Sequence, residues 1–365
     1  MIGARLGALS AVLAMSAPVG SISATVDVPQ PGYDTSRIVE VDAYDSSFGG
    51  ERRHVTAYRN DAYRCGRHGA FPFVVVEPLG DGGERRPLWV MLHGGGAGHY
   101  GDDQRYVSMG GGESNNDAES TGQLLALLYD YVDVDRRKDT FIADRLAAGD
   151  RFVLGSLCDH DLYLGVGQPY PHNPHHDDTV DGLLANLAMV DAITSGTETV
   201  PRRTTSSLWT LGASAGAFGA YALAHNLWAR GVDVDGLILD SGLLVARTAS
   251  ASASEWVTDH EMIAKHGPYL AEPSLWVDEA IVTGFDVPLF DTVEEDDAFC
   301  RDPGEHTGCA WVHAGLAEAI DAAGDPVRQQ VHVYPGTTHI ATRQPGTEVQ
   351  GDLREWYRAV TLGLS

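Results

Sequence analysis

Three groups of residues in this sequence have the types and spacing needed for nucleophilic acyl transfer. The first is Gly212-Ala213-Ser214-Ala215-Gly216. A G-x-S-x-G string is weakly specific alone, because its residues are common. Here an apolar segment, Ser207 to Leu211, precedes it, and an Ala-rich stretch, Ala215 to Trp228, follows. A sharp strand-to-helix turn at such a junction strains the serine backbone and lifts the hydroxyl above a sheet. Gly212, Gly216 and Gly219 would let that turn approach its neighbours. The helix start offers N–H groups and a positive dipole end to developing negative charge. The same string also suits a serine that merely caps a helix beside packing glycines.

The second group is His93-Gly94-Gly95-Gly96, directly after the apolar run Leu88 to Leu92. Glycines there let backbone N–H groups face a cavity without side-chain obstruction. Fixed donors at a developing oxyanion are worth roughly 3 kcal/mol apiece. The donors expected are Gly94, Gly95 and the N–H of Ala215, with His93 structural.

The third group is a base and its carboxylate. His339 lies in the Pro- and Gly-containing segment Tyr334 to His339, beyond a strand expected at Val331 to Tyr334, and can reach back over the sheet edge. His332, inside that strand, reads as structural. The acid belongs in the turn after the penultimate strand, which begins near Val287-Pro288. A usual strand length from there leads to Asp297. Asp296 beside it is the alternative, and Asp291 or another carboxylate remains open. The acid would hold the imidazole tautomer and stabilise the imidazolium without taking the proton.

The elements that would position these groups form a simple pattern. Arg37 to Tyr44 and His54 to Arg59 alternate and are joined at Gly49-Gly50, which predicts a hairpin. Phe71 to Glu77, Leu88 to Leu92, Phe152 to Leu157, Ser207 to Leu211, Leu237 to Asp240, Val287 to Val293 and Val331 to Tyr334 read as strands. Leu124 to Tyr131, Thr140 to Ala148, Asp181 to Ile193, Ala215 to Trp228 and Asp352 to Thr361 read as helices. Residues 97–116 have no periodicity and read as a loop. Such alternation implies an α/β fold with a mainly parallel sheet covered on both faces. Residues 245–283 interrupt the rhythm and suggest a cap insertion in one catalytic domain spanning 25–365.

The first 24 residues read as a secretory signal: Arg5, an apolar run from Leu6 to Val19, then small residues. The run is short for a bilayer span of roughly 20 residues. Four cysteines suit an oxidising compartment. Cys300 and Cys309 would close a small loop that braces the acid's turn, leaving Cys65 and Cys158 to pair across the fold. Three connectivities remain open. Acidic residues number 51 against 25 basic ones, a net charge of −26. That charge disfavours nucleic acid and anionic membranes as partners, and suits solubility in high salt.

The order Ser214, acid, His339, with the elbow and the Gly-rich turn, resembles the α/β-hydrolase superfamily over about residues 85 to 345. Cys158-Asp159-His160-Asp161-Leu162-Tyr163-Leu164-Gly165 is similar to the pectin acetylesterase family and its bacterial relatives. Two departures stand out. Ala217 replaces the second Gly usual after the elbow, and the oxyanion turn lacks the aromatic residue and Cys of plant members, being closer to the HGGG of lipases and esterases. The resemblance implies an exported, disulfide-bearing serine esterase that needs no cofactor and acts on small-molecule or polysaccharide esters. A peptidase or amidase, or a catalytically silent binding protein, could use the same fold. The stretch His172 to Asp178 lacks zinc-type spacing, so no metal is expected. Trp256, Trp276 and Trp311 could line a pocket or pack the cap.

Overall fold

The alternating residues near the start of the fold form a hairpin, because Gly49 and Gly50 accept positive φ values of 58° and 83° that the tight turn requires. In the computed structural model, which describes residues 32–65, 69–80, 83–95, 98–100, 104–108, 118–133, 138–169, 179–242, 277–297 and 309–364, this hairpin opens a nine-stranded sheet. Strands β1 (Ile38–Phe48), β2 (Glu51–Cys65) and β3 (Gly69–Pro78) run antiparallel. The rest are β4 (Arg86–Leu92), β5 (Arg151–Gly155), β6 (Thr205–Ala213), β7 (Gly236–Asp240), β8 (Leu289–Glu294) and β9 (Gln329–Tyr334). The sheet order is β1-β2-β3-β5-β4-β6-β7-β8-β9. β3 meets β5 antiparallel, and every pairing from β5 to β9 is parallel.

Parallel strands buried on both faces need helices on both sides. Those helices are α1 (Thr121–Val132), α2 (Phe141–Ala147), α3 (Gly182–Ser195), α4 (Ala215–Ala229), α5 (Val277–Val282), α6 (Cys309–Ala323) and α7 (Glu348–Leu362). β4 shows how the two layers divide. Leu88, Val90 and Leu92 face the core built with α3 and α4. Trp89 and Met91 face the core built with α1, α2 and α7. Because side chains alternate along a strand, one apolar run serves both cores. α4 is buried almost all round, as its uniformly apolar sequence requires.

Three local expectations change. Helix α6 was not anticipated, although its Ala-, Leu- and Glu-containing second half is a good helix former. Gly98–Tyr100 and Tyr106–Ser108 form a short antiparallel pair where no regular structure was expected. The strand expected through Leu157 ends at Gly155, and a turn of 3₁₀ helix follows at Cys158–His160. Cys65 and Cys158 form a disulfide that ties the end of β2 to that turn. The leader, Gly96, Cys300, the stretch 172–178, and Trp256 and Trp276 with most of the expected cap lie outside the described residues, as do the side chains of Cys309 and Trp311. No helix of the described residues is long and apolar enough to cross a membrane.

Candidate active site

The sharp turn at the end of β6 holds Ser214 at φ 53°, ψ −120°. A non-glycine residue there costs on the order of 1–3 kcal/mol, so the surroundings must enforce it. The Ser214 N–H donates to the Asp240 carbonyl at 2.8 Å, and its own carbonyl accepts from Ala217 N–H at 2.9 Å. A Cβ on Gly216 would collide with the Leu92 carbonyl, and one on Gly212 with the Gly216 carbonyl. Only glycine lets β4, β6 and α4 converge this closely. Ser214 occupies the N-cap position of α4, yet its side chain caps no helix N–H. The helix-cap reading of this serine therefore does not hold.

The three candidate carboxylates go to three different places. Asp297 is fully buried just after β8, and the His339 Nδ1 meets its Oδ2 at 2.8 Å and Oδ1 at 3.1 Å. Asp296 is exposed and uses its N–H to bind the Gly336 carbonyl at 2.9 Å. Asp291 lies inside β8, buried, and pairs with His313 of α6. His332 lies in β9 and bonds Gln330 at 3.0 Å, so it stays with the strand.

Two residues that sequence reasoning passed over hold the segment after His339. The Ser241 hydroxyl accepts the Ile340 N–H at 3.1 Å. The Asp240 carboxylate accepts Ala341 N–H at 3.2 Å, Thr342 N–H at 2.8 Å and the Thr342 hydroxyl at 2.6 Å. Ile340 is left-handed at φ 66°, a conformation β-branched residues rarely adopt, so this grip matters. Burial pushes the Asp240 carboxyl upward, opposed by the bonds from Thr342 and Ser241 and by His339. Asp240 and Ser241 thus contact both sides of the site, since Ser214 binds the Asp240 carbonyl. A signal existed in the sequence. A carboxylate closing an apolar buried strand is costly unless several donors meet it.

On the opposite side, Gly94 abuts the serine: a Cβ there would lie 2.9 Å from Ser214 Cβ and 3.2 Å from the Ala213 carbonyl. A Cβ on Gly95 would lie 2.8 Å from Leu157. Ala215 is the buried first residue of α4. The Tyr163 hydroxyl clamps the His93 backbone, accepting its N–H at 3.2 Å and donating to its carbonyl at 3.1 Å. The His93 ring meets the Gly94 carbonyl at 2.6 Å and Glu119 at 2.9 Å. Glu119 also accepts the Ser156 hydroxyl at 2.7 Å and Leu157 N–H at 2.9 Å, next to the Cys65–Cys158 bridge. Glu119 follows the residues read as a loop and gave no sequence signal.

The segment Cys158 to Gly165 serves as a brace. Asp161 is fully buried and accepts the N–H groups of Tyr163, Gly165 and Gly182 at 2.8–2.9 Å. Burial pushes its carboxyl up to about 7 against those three donors. A Cβ on Gly165 or Gly182 would collide with the Asp161 carboxylate. Among the described residues no cluster of three His, Cys, Asp or Glu could hold a metal.

No family model matches this sequence, and no curated protein matches it. The similarity to pectin acetylesterases therefore gains no support from either. Solved structures do match. An S-formylglutathione hydrolase from Agrobacterium tumefaciens aligns over 88% of this chain and 99% of its own, with a TM-score of 0.51 and 12% identity. An esterase from Pyrobaculum calidifontis aligns over 91% and 88%, with a TM-score of 0.45 and 14% identity. Acetyl xylan esterase 1 from Thermoanaerobacterium aligns over 90% and 89%, with a TM-score of 0.44 and 13% identity. The first of these likenesses agrees with the strand order and pairing described above. The chain has the α/β-hydrolase fold.

Proposed function

We propose that this chain is an exported serine hydrolase of carboxylic esters, with Ser214 as nucleophile, His339 as base and Asp297 as its orienting acid. The observation that carries the reading is the strained Ser214, whose hydroxyl caps no helix N–H, on the sheet edge that also carries His339 paired with the buried Asp297. Ser214 follows β6, Asp297 follows β8 and His339 follows β9, so all three sit beyond the C-terminal ends of parallel strands.

The chemistry follows from the positions. Ser214 Oγ attacks the ester carbonyl while His339 Nε2 takes its proton. Asp297 holds Nδ1–H and stabilises the imidazolium. The carbonyl oxygen becomes an oxyanion facing the N–H groups of Gly94, Gly95 and Ala215. His339 protonates the leaving alkoxide, and water then attacks the acyl-enzyme by the same relay in reverse. The relay needs no cofactor. Acetyl and other short acyl esters, on small molecules or polysaccharides, are the substrates expected.

Export fits the apolar leader and the Cys65–Cys158 bridge. The net charge of −26 fits a protein kept soluble in high salt. Refolding and activity across a NaCl series should improve with salt, and full stability without it would reject the salt adaptation. A panel of p-nitrophenyl esters of increasing acyl length, run beside acetylated polysaccharides and peptide amides, tests the reaction. Turnover should be greatest on short acyl esters and vanish in Ser214→Ala. Turnover of peptides alone would assign a peptidase, and no turnover or serine-probe labelling at all would assign a silent binding protein.

A further inference from the structure

We propose that Glu119 is a positioning residue for this hydrolysis: through His93 it fixes the Gly94-Gly95 backbone that receives the oxyanion. The inference rests on the reading of Ser214 and the glycine turn given above, and it comes from counting donors and acceptors. His93 Nδ1 faces the Gly94 carbonyl and Nε2 faces a Glu119 oxygen. Neither a carbonyl oxygen nor an ionised carboxylate has a proton to give. Both bonds form together only when each ring nitrogen carries a proton, which is the state the pairing with Glu119 requires. Burial opposes charge on Glu119, but His93, the Ser156 hydroxyl and the Leu157 N–H outweigh it and hold the carboxyl below its ordinary range.

The planarity of the peptide bond converts this pair into control of the oxyanion donors. In a trans peptide the C=O and the following N–H point in opposite directions. Tyr163 holds the His93 carbonyl, which sets the direction of the Gly94 N–H. The His93 ring holds the Gly94 carbonyl, which sets the direction of the Gly95 N–H. Two successive peptide planes are thus fixed, one by a tyrosine and one by the Glu119–His93 pair. Without the second grip, glycine backbone rotates at little cost. Among the described residues, Tyr163 stands edge-on to the His93 ring at 6.0 Å, and His160 borders Gly95.

The test is Glu119→Gln in the full chain. An amide keeps the shape but is a weaker acceptor than a carboxylate for a proton on His93 Nε2. kcat should fall about 10- to 100-fold, the scale of a ~1 Å misplacement, with KM nearly unchanged. Nitrogen-15 NMR of the wild type should show both His93 ring nitrogens protonated at neutral pH, and the variant should show one. Wild-type kcat in folded Glu119→Gln would overturn the proposal. So would a neutral His93 ring in the wild type, a measurement that stands even if the variant does not fold. Ester turnover surviving Ser214→Ala would instead sink the underlying reading. Turnover that needs Ser214 but ignores Glu119 would sink only this assignment.

Discussion

Replacing Asp240 by Asn isolates the support of His339 from its chemistry. Oδ1 of Asp240 accepts the Ser241 hydroxyl at 3.0 Å and Ala341 N–H at 3.2 Å, while Oδ2 accepts Thr342 N–H at 2.8 Å and the Thr342 hydroxyl at 2.6 Å. An amide must place its NH₂ at one of these two positions. On the Oδ1 side it would face the Ala341 N–H, and on the Oδ2 side the Thr342 N–H. Either orientation leaves at least one buried backbone N–H without an acceptor, which costs about 1–3 kcal/mol. Ile340 at φ 66° adds a tendency to relax once the grip loosens. His339 precedes that residue, so relaxation turns the imidazole away from its place against Asp297. The expected outcome for Asp240→Asn is a stability loss of about 1–3 kcal/mol in urea unfolding and a fall in kcat of roughly 10- to 100-fold. Asp297 and Ser214 stay intact, so serine-probe labelling should persist at a reduced rate. A variant with wild-type kcat and wild-type stability would refute the reasoning.

Further perturbations separate the remaining parts of the account. Asp297→Asn should reduce kcat by about 10⁴-fold, because an amide stabilises the wrong His339 tautomer, whereas Asp296→Asn should leave the ester rate unchanged. Serines at Cys65 and Cys158 open a bridge spanning 93 residues of sequence; unfolding should cost about 3–5 kcal/mol less, and activity should fall with the loosened Ser156–Glu119 contact. Asp161, with its carboxyl pushed up to about 7 in the fold, binds its proton more tightly folded than unfolded. Raising the pH from about 4 to 7 therefore removes stability through this group. In Asp161→Asn that slope should disappear, while stability drops at every pH because an NH₂ would face donors from Gly165 and Gly182 or from Tyr163. Thermal melts across that range read both effects.

The parts of the molecule legible in the sequence were those written in local patterns. The alternation that marked β4 to β9, the glycines around Ser214 and the Pro-Gly loop before His339 all reflect constraints acting within a few residues. The choice of Asp297 over Asp296 required the direction in which each side chain leaves a turn, which strand counting approached but could not decide. Glu119, Asp240 and Ser241 work through contacts between segments far apart in the chain. Asp240 bonds residues 101 and 102 positions away, and nothing local to either segment announces that meeting. The Cys158 to Gly165 stretch was read through a family likeness. In the fold its physical content is the Asp161 hub and the Tyr163 clamp on the His93 backbone. The segment of α6 was obscured by the cysteine loop before it, although its own composition favours a helix.

The central claim is that Ser214 carries the acyl group. Rapid mixing with p-nitrophenyl acetate, acid quenching and mass analysis of peptides test it most directly. The account predicts a burst of nitrophenol matched by one acetyl group on the peptide containing Ser214, and neither burst nor adduct in Ser214→Ala. An acetyl group found on another residue, or a burst that survives the loss of Ser214, would contradict it.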